Sequence, residues 1–187
     1  MIPMNEVLKA IFDRYSCRDF SPAPLTDDQV QTLAKAALAA PSAVNRQPWH
    51  IIAVTDKTLI DEYGDDAMSI LKAQGSEFYQ RMLDRGGKVF YNAPCLIFIV
   101  VDATVDSAAV DCGIVTQNIA LAAHSMGLGN VICGLAAGPL SGPRAQEWSK
   151  RLQIPEGYSF GMSVCIGMAQ SGKEPHELDV NKLTFID

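Results

Sequence analysis

The order of apolar and polar residues predicts both helices and strands along this chain. Apolar residues between 30 and 38 recur at the i, i+3, i+4, i+7 spacing of an amphipathic helix. Thr26 and Gln29 form the capping box that begins this helix, and Pro41 ends it. The run from Ser107 to Met126 is apolar nearly all round, which is the pattern of a helix buried at the centre of a fold.

Shorter apolar runs predict the strands, and most stretches between them are predicted to be helical. Strands are expected at residues 50–55, 94–102, 131–134 and 158–167, with 183–186 as a candidate last strand. The run at 94–102 is apolar almost throughout, so both faces of that strand should be buried. Further helices are expected at 7–12, at 142–152 and through most of 57–92, with breaks at Gly75 and Gly86–Gly87.

The composition is that of a globular protein, and it narrows the classes of function. Of the 187 residues, 48% are hydrophobic and 19% are charged, and we expect one domain spanning residues 1–187. The net charge of −6 argues against nucleic acid as a partner, because nucleic-acid-binding proteins present a basic face. The sequence shows neither a signal peptide nor an apolar run long enough to span a membrane.

Cysteine usage suggests a reducing compartment. Five cysteines stand at positions 17, 95, 112, 133 and 165, mostly among apolar neighbours, and no two have the spacing of a CxxC motif. Free, mostly buried thiols in the cytoplasm therefore explain them best. The three histidines, His50, His124 and His176, also lack the spacing of metal ligands, so no metal site is expected.

The segment reading RYSCRDF concentrates positive charge in an acidic chain. Arginine makes bidentate, permanently charged contacts to phosphate oxygens, so Arg14, Ser16 and Arg18 are candidates for holding a phosphate. The alternative is a solvated basic turn in which the arginines pair with Asp13 and Asp19.

A second polar segment, APSAVNRQPW at residues 40–49, lies between a predicted helix and a predicted strand. Such loops place side chains freely while the flanking elements hold them still, so Ser42, Asn45 and Gln47 are candidates for contacting a polar ligand. The alternative is an Asx or Ser/Thr turn that caps the next strand. Trp49 is expected to pin the loop against the core.

Together these segments resemble the nitroreductase family of FMN-dependent oxidoreductases, which carries R-x-S-x-R-x-F followed by A-P-S-x-x-N-x-Q-P-W. The resemblance implies that Arg14, Tyr15, Ser16 and Arg18 contact FMN, with Arg14 on the phosphate and Arg18 near the N1–O2 edge of the flavin. A fixed cation at that edge stabilises the negative charge that reduction places there.

The second segment, by the same resemblance, reaches across a homodimer interface to the partner's flavin. Pro41, Ser42 and Asn45 match the contact positions, and Gln47 of the same motif is assigned with them. Arg46 stands at a position that varies in the family, so it is assigned no role.

Two weaker matches complete the implied site. The segment GLGNVICGLAAG at 127–138 resembles a family stretch in which a backbone N–H points at flavin N5, and this makes Ile132, Cys133, Gly134 and Leu135 candidates. Gly134 is preferred because glycine permits close approach of the backbone to a flat ring; the alternative is an ordinary helix cap and strand start. Lys173 loosely matches the basic residues that the family supplies to the phosphate after its last core strand, and the alternative is a solvated lysine.

The resemblance implies an α+β fold of three layers, with a mainly antiparallel sheet between helices and a C-terminal strand that is a candidate for joining the partner's sheet. It implies a homodimer in which FMN passes hydride from NAD(P)H through N5 to nitroaromatic or quinone-type acceptors, by a ping-pong mechanism without a catalytic protein group. Two alternatives stay open: a non-catalytic flavin-binding protein for storage or sensing, and a thiol-redox or interaction domain without cofactor.

The cysteine pattern predicts that no thiol is required for turnover. A variant with all five cysteines replaced by serine or alanine should lose stability, because truncating buried side chains leaves cavities. Its reduction rate per bound flavin should stay within about an order of magnitude of the wild-type rate, since the flavin carries the electrons. Stopped-flow reduction by NAD(P)H measures this rate, and loss of turnover with flavin still bound would instead indicate thiol chemistry.

Overall fold

The computed structural model describes residues 4–186 as helices packed on both faces of one sheet. The α-helices in this range are α1 Glu6–Asp13, α2 Asp27–Leu38, α3 Lys57–Ala73, α4 Glu77–Asp84, α5 Ala108–Ser125, α6 Ala137–Ser141 and α7 Ala145–Arg151. The strands are β1 Trp49–Val54, β2 Cys95–Asp102, β3 Gly129–Ile132 and β4 Tyr158–Gly167. Single turns of 3-10 helix occur at Ala43–Asn45, Gly134–Ala136 and Val180–Lys182.

The four strands form an antiparallel sheet in the order β1–β2–β4–β3. β2 lies inside the sheet, and residues 95–101 are all buried, which confirms the prediction of a strand covered on both faces. With helices on either side, this arrangement confirms the expected α+β fold of three layers.

Alternate residues of β2 face two different hydrophobic cores. One core joins α2 and α5 to the sheet through residues such as Leu33, Ile97 and Ile119. The other lies on the opposite face, where Tyr63 of α3 and Trp148 of α7 pack with Phe98 and neighbouring side chains. This alternation follows from the period of two along a strand, which sends successive side chains to opposite faces.

The central helix α5 lies especially close to the sheet at Gly161 of β4. The register of β4 against β2 shifts there, between Ile99 and Val100. A Cβ atom added to Gly161 would lie 2.7 Å from the Cys112 sulfur of α5 and 3.0 Å from the Ile99 carbonyl oxygen. Glycine is therefore required here for steric reasons, and the predicted burial of α5 is confirmed by eight buried residues along it.

Helix boundaries mostly agree with the sequence signals. Thr26 and Gln29 form the predicted capping box of α2. Gly75 separates α3 from α4 with a φ of +60°, and Gly86 and Gly87 follow α4 with φ of +90° and +70°. Within residues 4–186, no helix is long and apolar enough to cross a lipid bilayer.

Two predicted boundaries are wrong. β3 begins at Gly129 and ends at Ile132, so Cys133 and Gly134 lie beyond it, because the chain turns there into a 3-10 helix. The helix expected from residue 142 begins at Ala145, since Gly142 adopts an extended conformation that ends α6.

Several apolar side chains near the two ends of the chain remain uncovered. Helix α1 forms as predicted, but Val7, Ile11 and Phe12 are 65%, 44% and 44% exposed. The tail residues 183–186 form no strand within the described chain, and Phe185 is 83% exposed. Their predicted addition to a partner's sheet stays a prediction.

Helix α7 is fastened to α3 by a network of charged side chains around Trp148. The indole N–H of Trp148 donates to Asp66 at 2.6 Å, and the guanidinium groups of Arg144 and Arg151 lie 4.8 and 4.5 Å from its ring centroid. Both arginines also donate to Glu62, at 3.0 and 2.7 Å. Glu62 and Asp66 of α3 therefore both join the two helices, and Glu62 does so through both arginines.

The pKa of Glu62 gives this network a testable pH dependence. Hydrogen bonds from Arg151 and Arg144 lower the pKa of the carboxyl group from 4.5 to about 2 in the folded protein. Because folding lowers this pKa, the ionised carboxylate stabilises the native state at any pH above about 4.5, which is its ordinary pKa. This contribution is lost as the pH falls from about 4.5 towards 2. Glu62→Gln should therefore be less stable to urea than wild type near neutral pH, and the difference should shrink across that acidic window.

Glu156→Gln is the matched control, because Glu156 is exposed and forms no ion pair within the described residues. Its effect should be small and should not vary with pH in the same way. A Glu62→Gln deficit that stays constant down to about pH 3 would show that the ion pairs do not stabilise the fold.

Candidate functional site

The basic segment at residues 14–21 lies between β3 and the chain that follows β4. Ser16 forms a parallel bridge with Asn130, and the Cys17 N–H donates to the Asn130 carbonyl at 2.9 Å. On its other side, Phe20 forms an antiparallel bridge with Ala169. Segments that are far apart in sequence are therefore joined by backbone hydrogen bonds.

This pairing brings the predicted Lys173 towards the basic segment. The Tyr15 hydroxyl donates to the Ser171 carbonyl at 3.1 Å, and Lys173 follows two residues later on an exposed part of the tail. Arg14, Arg18 and Lys173 are thus on adjoining segments, in a chain whose net charge is −6.

The guanidinium group of Arg14 contains a donor without an acceptor. Its Nη1 atom is buried and has no hydrogen-bond partner among residues 4–186. A buried donor left unpaired carries a desolvation cost of about 1–3 kcal/mol, and more when the group is charged. An anion or another hydrogen-bond acceptor would complete such a site, because every N–H of arginine is a donor.

The ion pairs that the alternative of a solvated basic turn requires are absent from residues 4–186, although Arg18 itself is exposed. Asp13 pairs with Lys9 of α1, and within the described residues neither Arg14 nor Arg18 forms a salt bridge. The two arginines are therefore not neutralised by the neighbouring acids, as that alternative required.

The turn after β3 holds Cys133, Gly134 and Leu135 firmly in place. The Cys133 N–H donates to the Ser163 carbonyl at 2.8 Å, and the Ser163 hydroxyl donates back to the Cys133 carbonyl at 2.6 Å. The Tyr63 hydroxyl fixes the end of the turn by donating to Ala136 at 2.5 Å. The backbone at this turn is consequently rigid.

Gly134 presents open backbone at this turn. It is exposed, and a Cβ atom there would meet no atom within 4 Å among the described residues. As the first residue of a helical turn, its N–H has no acceptor within that turn. A flat ring can therefore approach this N–H closely, as glycine allows.

The Cys133 thiol links this turn electrostatically to the basic segment. Its pKa is lowered, first by a hydrogen bond with the Cys165 thiol and then by the N–H groups of Leu135 and Ala136, against the opposing effect of burial. The positive charge of Arg18 adds a smaller lowering of the same pKa.

The loop at residues 41–47 is closed by hydrogen bonds among its own residues. The Ser42 hydroxyl accepts from the Gln47 N–H at 2.9 Å, and the Gln47 side-chain amide donates to the Asn45 side-chain oxygen at 3.0 Å. Pro41, Asn45 and Gln47 are exposed, while Trp49 is buried beneath the loop as predicted. The Asn45 amide hydrogens and the Ser42 hydroxyl hydrogen remain available to a ligand.

Hydrogen bonds connect this loop and the basic segment to two different positions along α5. The Ala43 N–H donates to the side chain of Asp111 near the start of α5, at 3.2 Å. The basic segment is joined to Asn130, whose side-chain amide donates to the Ala120 carbonyl at 3.1 Å. Nine residues separate these two anchor points, which corresponds to about 14 Å along a helix. Within one chain, the anchor points of the two motifs on α5 are therefore well separated.

Asp111 and Asn130 were not among the predicted site residues, although both fix the positions of residues that were. The available signals were a carboxylate inside an apolar helix and an asparagine next to a glycine-rich turn. Neither signal identifies a partner 68 residues away along the chain, as Ala43 is from Asp111.

A cavity of about 670 Å³ opens between α5 and β4. Its walls are mainly apolar and include Cys112, Gly113, Ile132, Phe160 and Met162. The volume is within the range of small-molecule sites, and Ile132 directly precedes the Cys133–Leu135 turn.

The model of the nitroreductase family matches residues 11–168. The chain belongs to the nitroreductase family. A crystal structure of a nitroreductase with bound FMN from Desulfitobacterium hafniense is 46% identical, covers 99% of this chain and 100% of its own, and gives a TM-score of 0.95.

Further members of the nitroreductase family confirm the relationship. An FMN-dependent nitroreductase from Clostridium difficile is 30% identical, with 97% of this chain and 99% of that chain covered and a TM-score of 0.83. The NADPH-flavin oxidoreductase of Vibrio harveyi is 33% identical over 172 residues, which are 91% of this chain and 69% of that protein.

Proposed function

We propose that this protein is an FMN-dependent NAD(P)H oxidoreductase that reduces nitroaromatic or quinone-type acceptors by a ping-pong mechanism. The observation that carries the proposal is the buried, unpaired Nη1 donor of Arg14. It lies in a chain that is 46% identical, over 99% of its length, to a nitroreductase with bound FMN.

The residues present fit a flavin mononucleotide. Arg14 would hold the phosphate, with Ser16 and Lys173 as further donors on adjoining segments. The open backbone at Gly134 suits the flat edge of the ring, and Cys133 and Leu135 flank it. Tyr15 is tied to the tail by its hydroxyl and so keeps the basic segment and Lys173 together.

In this proposal the protein residues position the flavin and the substrates and stabilise charge, and none of them reacts covalently. When bound, FMN supplies the electron chemistry, taking two electrons from NAD(P)H and passing them to an acceptor. Arg18, which the family resemblance assigns to the N1–O2 edge of the flavin, would stabilise negative charge on the reduced ring. The apolar walls of the 670 Å³ cavity exclude water and admit flat substrates one after the other.

A second copy of the chain completes each site in this proposal. Within one chain, the loop at residues 41–47 lies about 14 Å along α5 from the basic segment. The apolar face of α1, Val110 of α5 and the tail residue Phe185 are all exposed, and burying them against a second copy would stabilise a homodimer. Pro41, Ser42, Asn45 and Gln47 then contact the partner's FMN.

The remaining predictions concern the number of domains, the cellular location and the partners of the enzyme. A single domain over residues 1–187, a cytoplasmic location and the absence of nucleic-acid partners stay predictions from the sequence.

The proposed function is tested by the spectrum of the purified protein and by anaerobic titration with NADH and NADPH. Flavin absorbance that bleaches on addition of either nucleotide and returns with a quinone or nitroaromatic is the expected result. Flavin that neither nucleotide reduces would indicate a storage or sensing protein. Absence of flavin binding would favour a domain without cofactor.

Replacing Arg14 tests the phosphate assignment directly. Arg14→Ala removes a charge-assisted hydrogen bond and should weaken FMN binding by about 1.5–3 kcal/mol, measured by equilibrium titration of the apoprotein at several salt concentrations. Arg85→Ala removes an exposed arginine at the end of α4 and should leave the affinity unchanged. Wild-type affinity in Arg14→Ala at every salt concentration would show that Arg14 does not bind the phosphate.

Shortening the tail tests the composite dimer. Removing residues 182–187 should weaken the dimer and lower FMN occupancy together, because exposed apolar side chains such as Leu183 and Phe185 lose their partner surface. Sedimentation at micromolar concentration, with flavin absorbance recorded, measures both. The double variant Lys182→Ala/Asp187→Ala keeps those apolar residues and should remain a dimer. A full-length monomer that holds stoichiometric FMN would rule out composite sites.

A further inference from the structure

The loop at residues 42–47 adopts an unusual backbone conformation. Val44, Asn45 and Gln47 have φ angles of +47°, +55° and +49°, which is the left-handed region. Asparagine tolerates this region, but a β-branched valine there is an outlier. Val44 is also 84% exposed, so its own packing does not impose the conformation. Another interaction has to hold the loop.

A buried carboxylate supplies that interaction. Asp111 is 2% exposed, and its side chain accepts from the Ala43 N–H at 3.2 Å and from the Ser107 hydroxyl at 2.8 Å. Its position in the first turn of α5 also suits a negative charge, because the helix N-terminus is the positive end of the dipole.

This contact has no substitute within the described structure. The other hydrogen bonds of residues 42–47 join members of the loop to one another, as between Ser42 and Gln47. Among residues 4–186, the bond between Ala43 and Asp111 is the one that links the loop to the rest of the protein. The rigid, buried helix thereby sets where the exposed loop lies.

We propose that Asp111 is a positioning residue for the cofactor site of the partner subunit. By holding Ala43, it keeps the loop in the left-handed conformation that presents Ser42 and Asn45 outward. The inference rests on the proposed FMN-binding homodimer. It adds a residue that contacts neither cofactor nor substrate and acts through the loop on the other chain's site.

The chemistry of the contact predicts which substitutions preserve it. Two donors meet the carboxylate, so alanine loses both acceptors and releases the loop. Asparagine can still accept from Ala43 through its oxygen, while its amide donates to a rotated Ser107 hydroxyl. Ser107→Ala removes the second donor but leaves the bond to the loop, which makes it the matched control.

The first experiment measures the loop and the cofactor separately. In the apoprotein, Asp111→Ala should speed hydrogen exchange in the peptide covering residues 41–49, whereas Asp111→Asn and Ser107→Ala should not. FMN affinity should fall about tenfold in Asp111→Ala and stay within about threefold of wild type in the other two variants. The Asp111→Ala protein should still sediment as a dimer.

Ala43→Pro provides a second route if Asp111→Ala fails to fold. It removes the same N–H donor from the exposed side, and proline is tolerated at the first position of a helical turn. It should weaken FMN binding to a similar extent. Wild-type FMN affinity in a folded Asp111→Ala or in Ala43→Pro would overturn the inference.

The second experiment asks in which chain Asp111 acts. Asp111→Ala and Arg14→Ala chains are co-expressed with different affinity tags, and the mixed dimer is purified through both. If Asp111 acts on the partner's site, one site of the mixed dimer combines an intact Arg14 with an intact loop. FMN titration should then show half of the sites with wild-type affinity.

The outcomes separate this inference from the proposed function. A mixed dimer without any wild-type site would place the effect of Asp111 in its own chain and overturn the inference. A wild-type protein that binds no FMN, or sediments as a monomer, would instead overturn the proposed function. Wild-type dimers that bind FMN, with unchanged affinity in Asp111→Ala, would overturn the role of Asp111 alone.

Discussion

The packing of α5 against β2 and β4 sets the positions of both parts of the candidate site. The helix lies close to the sheet because Gly161 leaves room for Cys112. One end of α5 holds the loop through Asp111, and Ala120 further along holds Asn130 beside the basic segment. A shift of the helix would therefore move both motifs. Two hydrogen bonds to one helix, whose distance from the sheet depends on one glycine, thereby set the geometry of the polar residues in both motifs.

Within residues 4–186, positive charge without an acidic partner is found in the basic segment, although the chain as a whole is acidic. Acidic residues prevail over the whole chain, yet Arg14 and Arg18 pair with no acid among the described residues. Arg144 and Arg151, by contrast, both pair with Glu62, while Arg46 and Arg85 are exposed and form no ion pair within residues 4–186. The contrast matters because arginines that only stabilise a fold usually have partners. Arg14 differs from the exposed, unpaired arginines because one of its donors is buried, which suits it to an anion from outside.

Local sequence signals predicted local structure well, and long-range contacts poorly. The capping box of Thr26, the buried strand at Cys95–Val101 and the glycine breaks around α4 depend on neighbours in the sequence, so they were predictable. The end of β3 was misplaced because an apolar run does not show where a turn leaves a sheet. The motifs of the site were found by resemblance, but their separation and the role of Asp111 depend on contacts between distant residues.

The unpaired donor of Arg14 also has a thermodynamic consequence. One buried nitrogen of the Arg14 guanidinium group has no partner within residues 4–186, and leaving such a donor unpaired lowers the stability of the empty protein. An anion that binds there removes this penalty in the folded state and finds no equivalent site in the unfolded chain. Folding and occupancy are thus linked equilibria, and part of the stability of the native state depends on the concentration of free ligand. In the proposed FMN site, the guanidinium group that would bind the ligand therefore also couples the stability of the fold to the ligand concentration.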